Sequence, residues 1–265
     1  MADSERGRVP HFLQVLSGAW GLFWRANLGK SGRWVTLAWV IVPPVALGIL
    51  LNMTPGKPPE NGYYGILAIG YLLQVVPLVC LFSFGGVIRE EIRQNTMSFL
   101  AVRPVGRIRL LIAKYLSQLL WVQALLAVEL CALLAVGSVS IEGVDFGRLG
   151  VFLGIQALGV LAWSAIATAL GLISKNYVPL GILYGVLVEK GIANIPTNMN
   201  TLAVTRNIQN AFERVPDFNE AFPFIAPSET ATPELNILML AGIFVAMSAA
   251  LFYFKEYLPS REFDR

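Results

Sequence analysis

Side chains able to do covalent or metal chemistry are few and scattered. The single histidine, His11, leaves no material for a His-based zinc site or a Ser-His-Asp triad. The two cysteines, Cys80 and Cys131, lie inside apolar runs, which rules out a disulfide framework. Gly29-Lys30-Ser31 looks like the tail of a phosphate-binding loop, but Trp24 stands where the full pattern requires a glycine. A nucleotide site of the chain's own is therefore not expected, and neither is a membrane enzyme.

What remains is polar chemistry inside apolar surroundings. Glu129 is the only acid deep in an apolar run. A charge at the centre of a bilayer costs roughly 2.5–3.5 kcal/mol, so this carboxyl must be protonated, paired or turned to a polar cavity. A functional role and a plain one are equally balanced for it. Gln74, Gln123 and Gln156 fit interhelical hydrogen bonds as well as they fit a pathway. Glu189-Lys190 closes another apolar run, where it breaks the helix or snorkels to the interface.

These residues need elements to hold them, and composition says which kind. Of 265 residues, 55% are hydrophobic and 14% charged, and the mean hydropathy is +0.62. A soluble domain carries about a quarter charged residues, so the balance is that of a membrane protein. A net charge of +3 offers no basic surface for nucleic acid. Six apolar stretches are long enough to cross as helices: Trp34–Leu51, Tyr63–Ile88, Leu110–Gly137, Leu149–Ile173, Tyr177–Ile195 and Leu235–Phe254. Pro43-Pro44 predicts a kink in the first. Alternation of period two, the mark of a membrane β-barrel, is absent. The expected fold is an all-α membrane protein, with residues 1–265 forming a single transmembrane domain.

Lysine and arginine orient the bundle. With six spans, 15 basic residues fall on the side that carries both termini; Lys57, Arg148, Lys190, Arg206 and Arg214 make 5 on the other. The positive-inside rule places both termini in the cytoplasm and the chain in the cytoplasmic membrane. Residues 11–24 lack a small-residue cleavage pattern and are too short to span. Phe12, Leu13, Leu16, Trp20, Phe23 and Trp24 recur at helical spacing, so 11–33 reads as an interfacial helix leading into the first span.

Between the second and third spans lies a charged cytoplasmic stretch, 89–109. Thr96 is a fitting N-cap, Asn95 before it tolerates a left-handed turn, and Pro104 ends the helix. A helix of about two turns is unstable alone in water. It must dock on its own bundle or on a cytoplasmic partner, unless the stretch is a solvated loop that only enforces topology.

The run Glu91, Thr96, Leu100, Pro104, Arg107 and Lys114 resembles the permease subunits of ABC-2 type ABC transporters. There E-x-x-x-G-T-L-E-x-L-L-x-x-P-x-x-R is followed by a lysine; here Asn95, Met97 and Ser98 replace the Gly, Leu and Glu. The resemblance implies that this stretch is a coupling helix seated on a separate ATPase subunit. Glu90, Glu91, Arg93, Thr96, Phe99, Leu100, Arg103, Pro104 and Arg107 would then be the ATPase-coupling residues. It further implies two ATPase copies that bind ATP and Mg, a second permease copy, alike or different, and export of a substrate across the membrane.

The outer segment 196–233 is 38 residues long, uncommon for a structureless loop. Thr205, Ile208, Phe212 and Val215 fit an amphipathic helix starting near Asn200 or Thr201, followed by Phe218, Phe222 and Phe224 among prolines. The family resemblance makes this a set of short helices forming an external gate; a docking surface for an extracytoplasmic protein is the other reading. Candidate pathway or gate residues are thus Glu129, Gln74, Gln123, Glu189, Phe212 and Phe222. Gly150/Gly154, Gly181/Gly185 and Ala167/Gly171 have spacings that allow close helix packing. Two rival readings stand beside the permease: an ion-coupled secondary transporter using Glu129, and a non-transporting scaffold or assembly subunit.

Overall fold

A computed structural model of the chain describes residues 30–53, 58–86, 107–191, 198–213 and 232–254, together with 18, 21 and 56. The described residues are mostly helical, without strands. α1 is Lys30–Met53. α2 is Glu60–Gly85, with a π-helical stretch at Leu67–Val75. α3 is Arg107–Ser140 and α4 Leu149–Ile173, the latter preceded by a 3₁₀ turn at Phe146–Arg148. α5 comprises Tyr177–Tyr184 and its π-helical continuation Gly185–Gly191. A 3₁₀ turn at Asn198–Leu202 leads to α6, Val204–Glu213, and α7 is Pro233–Phe254.

Among the described residues, four helices are long and apolar enough to cross a membrane: Glu60–Gly85, Leu111–Ser140, Phe146–Ile173 and Pro233–Phe254. Pro43 and Pro44 lie within α1. Residues 30–33, expected in the interfacial segment, instead form the first turn of α1; of the rest of that segment only Gly18 and Gly21 are described, both helical.

α4 is the centre of the bundle. Every residue from Ala162 to Leu172 is buried, as a helix apolar on all sides must be when neighbours surround it. α2, α3, α6 and α7 all pack on it. The contact with α2 is closest near one end, where a Cβ on Gly171 would run into the Gly85 carbonyl and one on Gly85 into the Tyr177 ring. Glycine at both positions lets the backbones touch, the device by which membrane helices gain van der Waals contact. Gly181 packs likewise on Leu81, whereas Gly150, Gly154 and Gly185 face open space. Only part of the small-residue pattern therefore serves packing within the chain.

Tyrosines pin α2 to α3. The Tyr63 hydroxyl donates to Leu133 O, and the Tyr71 hydroxyl donates to Leu126 O at 2.6 Å. Numbers rise along one helix as they fall along the other, which is antiparallel register. A buried phenol needs an acceptor, and in hydrocarbon only protein can supply one. Tyr115 of α3 bonds in the same way to Ser164 Oγ of α4, at 2.8 Å.

The opposite end, around Glu60, is closed by charge and rings. Arg148 pairs with Glu60 at 3.3 Å and lies 4.6 Å over the Tyr64 ring. Tyr64 stacks on Phe152 at 5.9 Å, and Phe152 on Phe212 at 5.3 Å. The α3–α4 turn beside them needs a positive φ at Gly143, +91°, and there a Cβ would also meet Glu60.

Candidate functional site

α2, α4 and α5 enclose a cleft of about 240 Å³. Leu73, Gln74, Leu78 and Leu81 line it from α2, Trp163, Ile166 and Leu170 from α4, and Gly181, Tyr184, Glu189 and Lys190 from α5; Thr205 of α6 joins them. Gln74 belongs to one π-helical stretch and Glu189 and Lys190 to the other. Wide π turns recur at functional sites because they re-aim side chains and loosen the backbone ladder. Two of the candidate residues, Gln74 and Glu189, thus share one cavity although they lie far apart in sequence.

Glu189 does not snorkel. It is buried, and the helix does not break before it but widens into the π turn. Its Oε1 accepts the Val204 N–H at 3.1 Å; its Oε2 accepts the Thr205 N–H at 2.8 Å and the Thr205 hydroxyl at 2.7 Å. These N–H groups start α6, where the helix has no internal acceptors and its dipole favours negative charge. A carboxylate from another helix therefore caps α6, where a local Ser, Thr, Asp or Asn usually serves.

α6 is amphipathic as expected, but begins at Val204 after a 3₁₀ turn that takes in Asn200 and Thr201. Ile208 and Phe212 are buried against the bundle. Asn207 holds the turn before it, donating to Thr201 O at 2.7 Å and Ala203 O at 2.8 Å, and Asn236 of α7 donates to its Oδ1 at 3.2 Å. Phe212 therefore sits in a packed aromatic row, against Phe152.

Glu129 lies outside the cleft lining, fully buried on α3, and neither carboxyl oxygen has a hydrogen-bond partner. One turn earlier on α3, Leu126 O takes the Tyr71 hydroxyl, which is also 3.2 Å from Gln156 Oε1. Gln156 Nε2 and Gln123 Oε1 are likewise buried without partners. The Arg107 backbone opens α3, and its side chain is not described. Glu90, Glu91, Arg93, Thr96, Phe99, Leu100, Arg103, Pro104 and Phe222 lie outside the described residues. Among the described residues, no three His, Cys, Asp or Glu side chains gather as metal ligands would.

Sequence reasoning missed Trp163, Tyr184 and Asn207. The two aromatics, edge-on at 6.3 Å, look like any core residue in an apolar run. Asn207 carries a weak signal, a polar residue on the apolar side of an amphipathic helix.

No curated protein matches the sequence. The family described as ABC-2 family transporter protein matches residues 30–188, from the start of α1 into the π turn of α5. That span covers more than half of the chain and takes in α2, α4 and most of the cleft. The chain belongs to the ABC-2 family of transporter proteins.

Proposed function

We propose that this chain is the membrane-spanning permease subunit of an ATP-driven exporter, powered by a separate ATPase. The observation that carries the reading is the family match, which includes the charged stretch between α2 and α3. Membrane domains of this family typically pair with an ABC ATPase. α1, with 24 residues, is about 36 Å long, and the apolar stretch of the sequence that begins α5 at Tyr177 runs to Ile195, so both are counted with the four long helices as spans. Both termini then lie in the cytoplasm, where 15 of the 20 basic residues fall. α2 ends at Gly85, beside Tyr177 and the turn after α4. The coupling segment therefore emerges at the cytoplasmic end, next to the root of α5. Closure of two ATPase subunits on Phe99 and Leu100 would move α2 and α5, the two outer walls of the cleft, in a permease dimer. The chain itself holds no nucleotide; ATP and Mg belong to the partner.

The test is copurification of the full chain with an ATP-binding subunit from its native membrane. Phe99→Asp with Leu100→Asp should leave the chain folded in the membrane while releasing the ATPase. A chain that purifies without any ATPase and drives uptake from an ion gradient would sink the reading.

A further inference from the structure

Polar groups in the cleft are few, and most are already used. The Glu189 carboxylate takes donors from Val204 and Thr205, and the Tyr184 hydroxyl bonds to it as well. Lys190 beside it has an interaction of its own. Neither charge is left for a ligand. Two uncharged side chains remain. Gln74 is exposed in the cleft, and nothing among the described residues bonds its amide. Trp163 lines the cleft from α4, and its buried Nε1–H has no acceptor.

Both lie deep in the membrane. Gln74 stands near the middle of the 26 residues of α2, and Trp163 near the middle of the 25 of α4. The two helices run in the same direction, since Tyr64 meets Phe152 near their starts and Gly85 meets Gly171 near their ends. An unpaired polar group is costly in hydrocarbon. Phospholipid esters and phosphates cannot relieve it, because they stay at the edge of a core about 30 Å thick. Water needs two to four polar partners, which a lining such as Leu73, Leu78 and Ile166 does not offer.

The donors name the missing group. Gln74 and Trp163 together present three N–H donors and one carbonyl oxygen, so their complement is an acceptor. Depth requires that acceptor to be neutral, since a charge there finds no free counter-charge. The side of the cleft opens past Leu78, Ile182 and Val186, all exposed. Its volume of about 240 Å³ is below the roughly 300–1,000 Å³ of sites that enclose a whole small molecule, so part of the ligand stays in lipid.

We propose that the cleft binds an uncharged, largely apolar ligand through one carbonyl group, amide or ester, which accepts from Gln74 and Trp163 near the bilayer midplane. Binding needs no ATPase, so its test is separate from that of the permease reading.

The full-length chain in phosphatidylcholine nanodiscs is given the N-butyl amide of a fatty acid that carries a diazirine beside the carbonyl. After illumination, adducts are mapped by peptide mass spectrometry. Adducts should concentrate on Leu73, Leu78 and Ile166, above the level on Val42 and Ile49, exposed residues of α1. Gln74→Leu breaks no bond within the chain and should lower them about fivefold, the worth of one hydrogen bond. Trp163→Phe, which keeps a ring beside Tyr184, should lower them by a similar factor. An alkane of equal length with the same diazirine should label the cleft no better than these variants do, and Gln74→Leu should leave its labelling unchanged. Competition by unlabelled diacylglycerol assigns the ligand to neutral membrane lipid; competition by the unlabelled amide alone assigns it to a free small molecule. The proposal is overturned by equal labelling from amide and alkane, or by amide labelling that Gln74→Leu leaves intact. It is also overturned if Gln74→Cys chains form a disulfide dimer, which would put a second copy where the ligand belongs.

Discussion

Thr205, the second residue of α6, gives both its backbone N–H and its hydroxyl to Glu189 Oε2, at 2.8 and 2.7 Å. The two residues are 16 positions apart and belong to different helices. A carboxylate in the π-helical part of α5 therefore does two jobs: it walls the polar end of the cleft and starts the short helix that packs on α4 and α7. Movement of α5 cannot leave α6 where it is without breaking these bonds.

Glu189→Ala should loosen α6 selectively. Two helix-start N–H groups lose a buried acceptor, a loss of about 1–3 kcal/mol. Hydrogen exchange across 204–213 should quicken by roughly one to two decades, with α2 and α4 unchanged. Glu189→Gln, which keeps one acceptor oxygen but brings an amide against donors, should fall between. Unchanged protection of 204–213 in both variants would mean that packing by Ile208 and Phe212 holds the helix without its cap.

Gly171→Ala should destabilise the bundle, because the new methyl meets the Gly85 carbonyl with no side chain there to move aside. Overpacking of this kind costs about 1–3 kcal/mol. Gly154→Ala is the control: the same chemistry on the same helix, into open space. Thermal unfolding in detergent should drop for the first and hold for the second. Equal melting temperatures would show that α2 and α4 can slide apart at little cost.

This contrast also marks what could be read from the chain. Both ends of α4, Leu149 and Ile173, are legible because lipid demands an unbroken apolar helix and its flanks are polar. α2 starts at Glu60 and not Tyr63, and α3 runs through Ser140 past Gly137, since polar residues at the interface can stay helical where hydropathy has already fallen. Gly154 and Gly171 have the same spacing signal, yet only Gly171 meets a neighbour; which face a glycine occupies is set by three-dimensional packing. The Glu189 cap was illegible for the same reason. Capping patterns are local, and here the acceptor comes from another helix. Nor does a π turn leave a period in the sequence, so nothing joined Gln74 to Glu189 before the cleft did.

Tyr71→Phe should cost little. The hydroxyl has one proton, which serves Leu126 O at 2.6 Å, with Gln156 Oε1 at 3.2 Å as the alternative. Hydrogen bonds between membrane helices average about 0.6 kcal/mol and reach about 1.7. A double-mutant cycle with Gln156→Leu, followed by unfolding in mixed micelles, should return a coupling in that range. A coupling near zero would assign the whole effect to Leu126 O.

Glu129→Met is the variant that separates a placed acid from a misplaced one. The carboxyl is fully buried on α3 and neither oxygen has a partner, so its desolvation is uncompensated. An apolar residue of similar length removes that cost, and such exchanges run from neutral to stabilising. The melting temperature of the purified chain should therefore rise or hold. Glu129→Gln should gain less, because an amide in the same place still lacks partners. On the permease reading proposed above, transport should survive both changes, since Glu129 lies outside the lining of the cleft. A fall in stability with Met that Gln restores would show that the carboxyl is hydrogen-bonded in the working state. A loss of transport with stability intact would return Glu129 to the pathway and, with it, the ion-coupled reading.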